Sequence, residues 1–111
     1  MISYEDFLKV EIRVGRVVRA EPFPEARKPS IKLWIDFGTH GIKAAGAQLT
    51  RRYTTEALAG RQVVAVTNFP PRRIAGFSSE VLVLGAVPES DEGDVVLLRP
   101  DEEAPPGTRI L

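Results

Sequence analysis

Val10-Glu11-Ile12-Arg13-Val14-Gly15-Arg16-Val17-Val18-Arg19-Ala20-Glu21 is the stretch that decides the fold. Val10, Ile12 and Val14 alternate with Glu11, Arg13 and Gly15, the period of a strand with one face in a core. Arg16 falls on the apolar side of that alternation, which predicts a bulge or bend near Gly15. A long, bent first strand shared between two halves of a sheet is what a small Greek-key barrel requires.

The remaining elements follow outward from this strand. Upstream, Ser3-x-x-Asp6 ahead of Phe7-Leu8 has the form of a capping box and predicts a short N-terminal helix. Downstream, Pro22, Pro24 and Pro29 confine residues 21–29 to a loop, because proline cannot donate to a central ladder. Residues 31–37 read as a second strand, with Ile31, Leu33, Ile35 and Phe37 on one face and Lys32, Trp34 and Asp36 on the other. Gly38-Thr39-His40-Gly41 is a turn, and Ile42-Lys43-Ala44-Ala45 begins a third strand. Thr50 is the predicted cap of a helix that Arg51-Arg52 opens, Leu58 closes and Gly60 stops. Residues 62–67 and 80–87 read as fourth and fifth strands, apolar on both faces, so the face outside the core needs a cover. Residues 95–98 form a last strand, followed by the tail 104–111.

Three strands, a helix and two strands joined by short connections give the order of an OB fold. The expected architecture is all-β dominated: a five-stranded Greek-key barrel over about residues 9–87, with a helix between strands three and four. A short N-terminal helix precedes it and a C-terminal β extension, about 88–111, follows. The 111 residues form one domain. The extension carries Val95-Val96-Leu97-Leu98 and Ile110-Leu111, an apolar load beyond what a closed barrel buries. It is expected to hold a homodimer, with folding back onto its own barrel as the competing arrangement.

Composition narrows the chemistry. With no cysteine, disulfides, thiolate metal sites and a cysteine nucleophile are excluded. The single histidine, His40, sits in a glycine-flanked turn without a second histidine to share a metal. Asp91-Glu92-Gly93-Asp94 and Asp101-Glu102-Glu103 lie in polar loops rather than in the buried surroundings that tune a catalytic carboxylate. No phosphate-binding glycine loop or nucleophile elbow occurs. The expectation is a binding protein, with no catalytic residues, metal or cofactor. No secretory leader pattern and no apolar run of membrane-spanning length is present, so a cytoplasmic protein without membrane insertion is expected.

Net charge is zero but uneven. Residues 1–79 hold thirteen Lys/Arg against seven Asp/Glu, and residues 80–111 hold two against eight. A basic working surface and an acidic C-terminal segment is one account; two solvated faces that merely confer solubility is the other. Asn68-Phe69-Pro70-Pro71-Arg72-Arg73 favours the first. Its prolines stiffen the loop, and its arginines offer forked donors to phosphate or carboxylate. Arg51, Arg52, Arg27 and Lys28 add cations. Phe23, Phe69, Phe77 and Trp34 supply faces for base stacking or, equally, rim packing.

Residues 9–18, then Asp36-Phe37-Gly38, residues 60–68 and Gly76-Phe77-Ser78-Ser79-Glu80, resemble in order the tRNA-binding domains related to endothelial monocyte-activating polypeptide II. Within that family, residues 23–33, Ala47-Gln48-Leu49-Thr50, residues 68–77, residues 93–98 and Pro106-Gly107-Thr108 resemble the branch of CsaA-type secretion chaperones. The resemblance implies a homodimeric OB-fold chaperone that binds unfolded or exported precursor polypeptides and works with the Sec translocation motor. The alternative it implies is a structure-specific tRNA-binding protein. On this basis the candidate ligand-binding residues, for peptide or tRNA, are Arg27, Lys28, Lys32, Trp34, Arg51, Arg52, Asn68, Phe69, Pro70, Arg72, Arg73, Phe77 and Ser79. Two positions depart from the tRNA-binding pattern. Arg27 stands where the relatives usually carry Asp, and Val81-Leu82 where they carry Gly-Met. Valine in a glycine position changes how closely a ligand approaches the backbone.

Overall fold

The computed structural model describes residues 1–111. Helix α1 (Tyr4–Leu8) starts at the expected capping box, with the Ser3 hydroxyl accepting from the Asp6 amide and the Asp6 carboxylate accepting from the Ser3 amide. Strands β1 (Ile12–Pro22), β2 (Ile31–Asp36), β3 (Ile42–Ala47) and β4 (Gln62–Val66) form an antiparallel sheet in the order β3-β2-β1-β4. Strand β7 (Leu82–Val83) extends it beside β4. The sheet rolls up so that β3 meets residues 79–80. Glu80 N–H donates to Ala44 O (2.8 Å), and Gly46 N–H donates to Ser79 Oγ (3.0 Å). The result is a nearly closed five-stranded, OB-like barrel.

The core follows from the alternation of β2. Ile31, Leu33 and Ile35 point inward and join Val17, Phe37, Ala45, Leu58, Val63 and Ala65 in one cluster. Burying each of the Val, Leu, Ile and Phe side chains among them contributes roughly 1.5–3 kcal/mol. In β1 the phase is opposite to the expected one. Gly15 and Val17 face the core, and Val14 is buried outside the cluster. The bulge also lies further along, where the β1–β2 register shifts between Val17 and Arg19. Val17 already follows Gly15 on the inner face, so no irregularity is needed near Gly15.

Three further expectations change. Helix α2 (Thr55–Leu58) is capped by Thr54, whose hydroxyl accepts from Ala57 N–H, and not by Thr50. Leu49 is buried and Tyr53 N–H donates to its carbonyl, which holds residues 50–53 in a turn; Arg51 and Arg52 therefore do not open the helix. The expected loop at Asn68–Arg73 runs into β5 (Arg72–Ile74), which forms a hairpin with β6 (Phe77–Ser79). Its two-residue connection has Ala75 at φ 47° and Gly76 at φ 82°, as a tight hairpin demands. The expected fifth strand is broken, β7 pairing with β4 and β8 (Gly85–Ala86) with β9 (Val96–Leu97).

The tail is pinned to its own barrel. Strand β10 (Arg109–Ile110) pairs with Arg13 and Ile12 on the edge of β1 that β2 leaves free. The Gln62 side chain grips Ala104 through both its amide groups (2.6 and 3.1 Å). Both faces of β4 are thereby used, Val63 and Ala65 toward the core and Gln62 toward the returning chain.

A test of this packing is Gly15→Ala. A Cβ there would stand 2.7 Å from Phe37 Cε1 and closer still to Ile35 Cγ2, both on fully buried side chains. The substitution is expected to lower the unfolding free energy by about 1–3 kcal/mol in urea titration. Val18→Ala, at the exposed bulge, should change it by less than about 0.5 kcal/mol.

Candidate functional site

The outer face of β2 carries Lys32, Trp34 and Asp36, as the alternation requires. Two aromatic rings join it from elsewhere in the chain. Phe23 comes from the loop after β1, and Phe77 from β6, meeting Phe23 and Trp34 edge-on at centroid distances of 5.4 and 5.9 Å. Lys32 Nζ sits over Phe23 (4.8 Å) and Phe77 (5.1 Å), and the Arg19 guanidinium lies over Trp34 (4.9 Å). Each edge-on pair contributes about 0.5–1.5 kcal/mol beyond burial. These groups form a second, small core outside the barrel, and Phe23 is fully buried in it. Trp34, Lys32 and Phe77 are thus engaged with one another and half-buried.

Beside this layer three adjoining hollows, each lined by Gly46 and Arg72, make up the sections of a groove. The first section, about 720 Å³, has apolar walls from Leu49, Leu82, Leu84, Val87 and Val95. The second, about 510 Å³, is bordered by Arg27, Lys28, Arg72 and Arg73. The third, about 410 Å³, lies between Phe69-Pro70-Pro71 and Ser79–Leu82. Phe69, Leu82 and Val87 remain about half exposed at 52, 46 and 52%. None of Arg27, Lys28, Arg72 or Arg73 forms an ion pair. An apolar trough bordered by unpaired cations suits an extended polypeptide or a polyanion.

Not every expected residue is free to act there. Arg51 pairs with Asp91, and Arg52 holds Asp94 through two bonds of 2.6 and 3.0 Å. These hydrogen bonds keep both carboxyls below the usual aspartate range and raise both guanidiniums. A depressed carboxylate favours the paired state above its ordinary pKa and stops doing so as pH falls through the lowered value, so the pairs are intact at neutral pH. Asn68 is a bracket: its Oδ1 accepts from Glu11 N–H (2.9 Å) and its Nδ2 donates to Lys9 O (2.7 Å). Ser79 is buried and its Oγ already accepts from Gly46 in the barrel seam. Sequence reasoning missed the apolar wall of Leu82, Leu84, Val87 and Val95, and missed Asp91 and Asp94 as partners of Arg51 and Arg52. The acidic bias of residues 80–111 was the available signal for the latter. No group of three or more His, Asp or Glu side chains gathers to hold a metal ion.

Residues 12–109 match the family model described as "Putative tRNA binding domain". The fold superposes on the chaperone CsaA from Bacillus anthracis str. Ames with a TM-score of 0.94 and 58% identity, covering 100% of this chain and 99% of that one. On the CsaA chaperone from Picrophilus torridus the values are 0.90 and 46%, with both chains fully covered. The chain belongs to the CsaA-type branch of the tRNA-binding-domain family. It is also 39% identical over 109 residues to the methionine–tRNA ligase of Archaeoglobus fulgidus. It spans only 16% of that ligase and 15% of the one from Porphyromonas gingivalis (strain ATCC 33277), so the likeness is to their tRNA-binding domain and not to a catalytic body.

The two roles open to Asn68 predict different results. As a bracket, Asn68→Ala removes both bonds to residues 9–11 and should cost about 1–3 kcal/mol of stability in urea titration. Affinity for tRNA should be unchanged under conditions where the variant is folded.

Proposed function

We propose that this protein is an export-related molecular chaperone that binds unfolded or precursor polypeptides along the groove beside Gly46. The observation that carries this reading is the set of three adjoining hollows around Gly46 and Arg72, with an apolar wall and four unpaired cations among their lining, beside the acids Glu80 and Glu92. Apolar contact is non-directional, so it accepts many sequences, while the cations bias the groove toward segments bearing carboxylates. The CsaA chaperones of the two solved structures support it through whole-length likeness. On this reading the protein acts without catalysis or cofactor, in the cytoplasm, on precursors bound for the Sec translocation motor. No helix is long and apolar enough to cross a membrane.

A second reading has a specific observation behind it. The same four cations, together with the half-exposed Phe69 ring, provide phosphate contacts and a stacking face, and the family model is that of a tRNA-binding domain. The readings separate by salt. Affinity for an unfolded secretory precursor should barely change between about 50 and about 200 mM salt, while affinity for tRNA should fall steeply through counterion release. Arg72→Ala with Arg73→Ala should weaken tRNA binding and flatten its salt slope by about 1.4–1.8, the amount for two lost phosphate contacts. An unchanged slope would remove this loop from any nucleic-acid role.

The proposal includes a homodimer. Ile42, Leu98 and Leu111, none of them in the groove, remain exposed on the single chain even with the tail folded back, apolar surface that a second copy would cover. Sedimentation at low micromolar concentration is expected to give about twice the 12.2 kDa chain mass. A stable species of one chain mass refutes it.

A further inference from the structure

Arg51 lines the same groove as Lys28 and Arg72, and so do Glu92 and Gly93 of the acidic turn 91–94. That turn lies directly against both arginines. Asp91 pairs with Arg51, Asp94 takes Arg52 in a two-bond grip, and Asp91 Oδ1 accepts from Gly93 N–H (3.2 Å), which folds the turn back on itself. The Arg51 side chain runs along Gly93 so closely that a Cβ there would stand 3.4 Å from its Nη1 and 3.5 Å from its Cδ and Cζ. The two carboxylates therefore occupy the positions that phosphates of a polyanion would take on Arg51 and Arg52. Each sits about forty residues away in sequence from the arginine it covers, so these are not incidental neighbours along the chain.

We propose that Asp91 and Asp94 are specificity-determining residues, internal anions that cover Arg51 and Arg52 and so keep the groove selective for polypeptide over nucleic acid. The proposal rests on the groove being the binding site. With the turn in place, four cations are open to a ligand; with it displaced, Arg51 inside the groove and its chain neighbour Arg52, which lies outside the lining, raise the number to six. Apolar polypeptide segments use the walls and are indifferent to the change. Polyanions must either displace the turn or forgo two contacts. Surface ion pairs contribute little to stability, so the device acts on ligand choice without the fold depending on it.

The test is Asp91→Asn with Asp94→Asn, which keeps the shape of both side chains and removes their charge. Bulk tRNA and an unfolded secretory precursor are titrated separately at about 50 and about 200 mM salt. The variant is expected to bind tRNA more tightly at low salt and to lose about tenfold more affinity than the parent across that range, as two added phosphate contacts require. Precursor affinity should stay within about twofold of the parent. Adding Arg51→Ala and Arg52→Ala to the variant should abolish the gain, which a general reduction of negative charge would not explain. Glu92→Gln, in the same turn but unpaired, should give less than half of the change in slope. If tRNA affinity and slope in the double Asp variant equal the parent's while Arg72→Ala with Arg73→Ala still weakens binding, the internal-anion role is overturned and the groove reading stands. If neither protein binds tRNA or precursor, both fall together. A loss of thermal stability with no change in tRNA binding would make the pairs a brace alone and also overturn the proposal.

Discussion

The bare Cα of Gly15 lets Ile35 and Phe37 close over β1, with Phe37 Cε1 only 2.7 Å from where a Cβ would stand. That close approach lies on the central strand of the sheet, the one that pairs on both edges with three others. Along its length β1 pairs with β4 at residues 12–16, with β10 at Ile12 and Arg13, and with β2 from Arg16 to Pro22. A strand in three ladders must bend between them. The missing side chain relieves crowding on the inside of the bend, and the register shift between Val17 and Arg19 adds local twist. The shift has a consequence outside the barrel. It pairs Arg19 with Trp34 and Glu21 with Lys32, so the cations stand over the aromatic rings of the outer layer.

Charge in this molecule is local rather than net. The overall balance is zero, yet the acidic C-terminal segment does not simply offset the basic remainder. It pairs with chosen arginines: Asp91 with Arg51, Asp94 with Arg52, and Glu103 with Arg16, where two bonds of 3.3 and 3.0 Å hold the Glu103 carboxyl below its usual range. Arg27, Lys28, Arg72 and Arg73 are left without partners, and all four border the groove. Screening over about 8 Å at physiological salt means that a ligand in the groove responds to these four and to the acids beside them, Glu80 and Glu92 in the lining and the Arg51-bound Asp91, and hardly to Asp101, Glu102 and Glu103, which line no section of it.

Most of the barrel was legible in the sequence because its signals are local. The capping box at Ser3 and Asp6 fixes α1, and the strict alternation from Ile31 to Phe37 fixes which face of β2 is core. The features that failed depend on contacts distant in sequence. The phase of β1 is set by Ile35 and Phe37 closing on Gly15, which alternation within β1 cannot reveal. Thr50 and Thr54 are equally good caps in isolation; the buried Leu49 decides between them. The hairpin at Arg72–Ser79 was hidden because its turn uses Ala75 where asparagine or glycine would have announced it. At the site, the cations of Arg27, Lys28, Arg72 and Arg73 were found from residue type alone. The pairing that removes Arg51 and Arg52, and the bracket that occupies Asn68, were not, since both depend on partners more than thirty residues away.

The groove owes its position to the way the barrel closes. Between β3 and residues 79–80 the seam is made by one backbone bond and two side-chain bonds, Gly46 to Ser79 Oγ and Ala44 to Glu80 Oε1 (2.9 Å), in place of a continuous ladder. A seam of this kind spans less of the strand, so the barrel opens beside Gly46. The opening is walled by segments that belong to different parts of the chain: the loop at Arg27-Lys28, the Phe69–Arg72 stretch, and the β7–β8 region with Val95. Few hydrogen bonds join these walls to one another, whereas the barrel beneath them is fully laddered through β1, β2 and β4. The cations stand on these walls, Arg27 and Lys28 on one and Arg72 and Arg73 on another, so each pair is held by its own segment and not by the barrel floor. Such a site gains affinity from apolar area and direction from charge, and it is suited to extended segments that share a chemistry rather than a sequence.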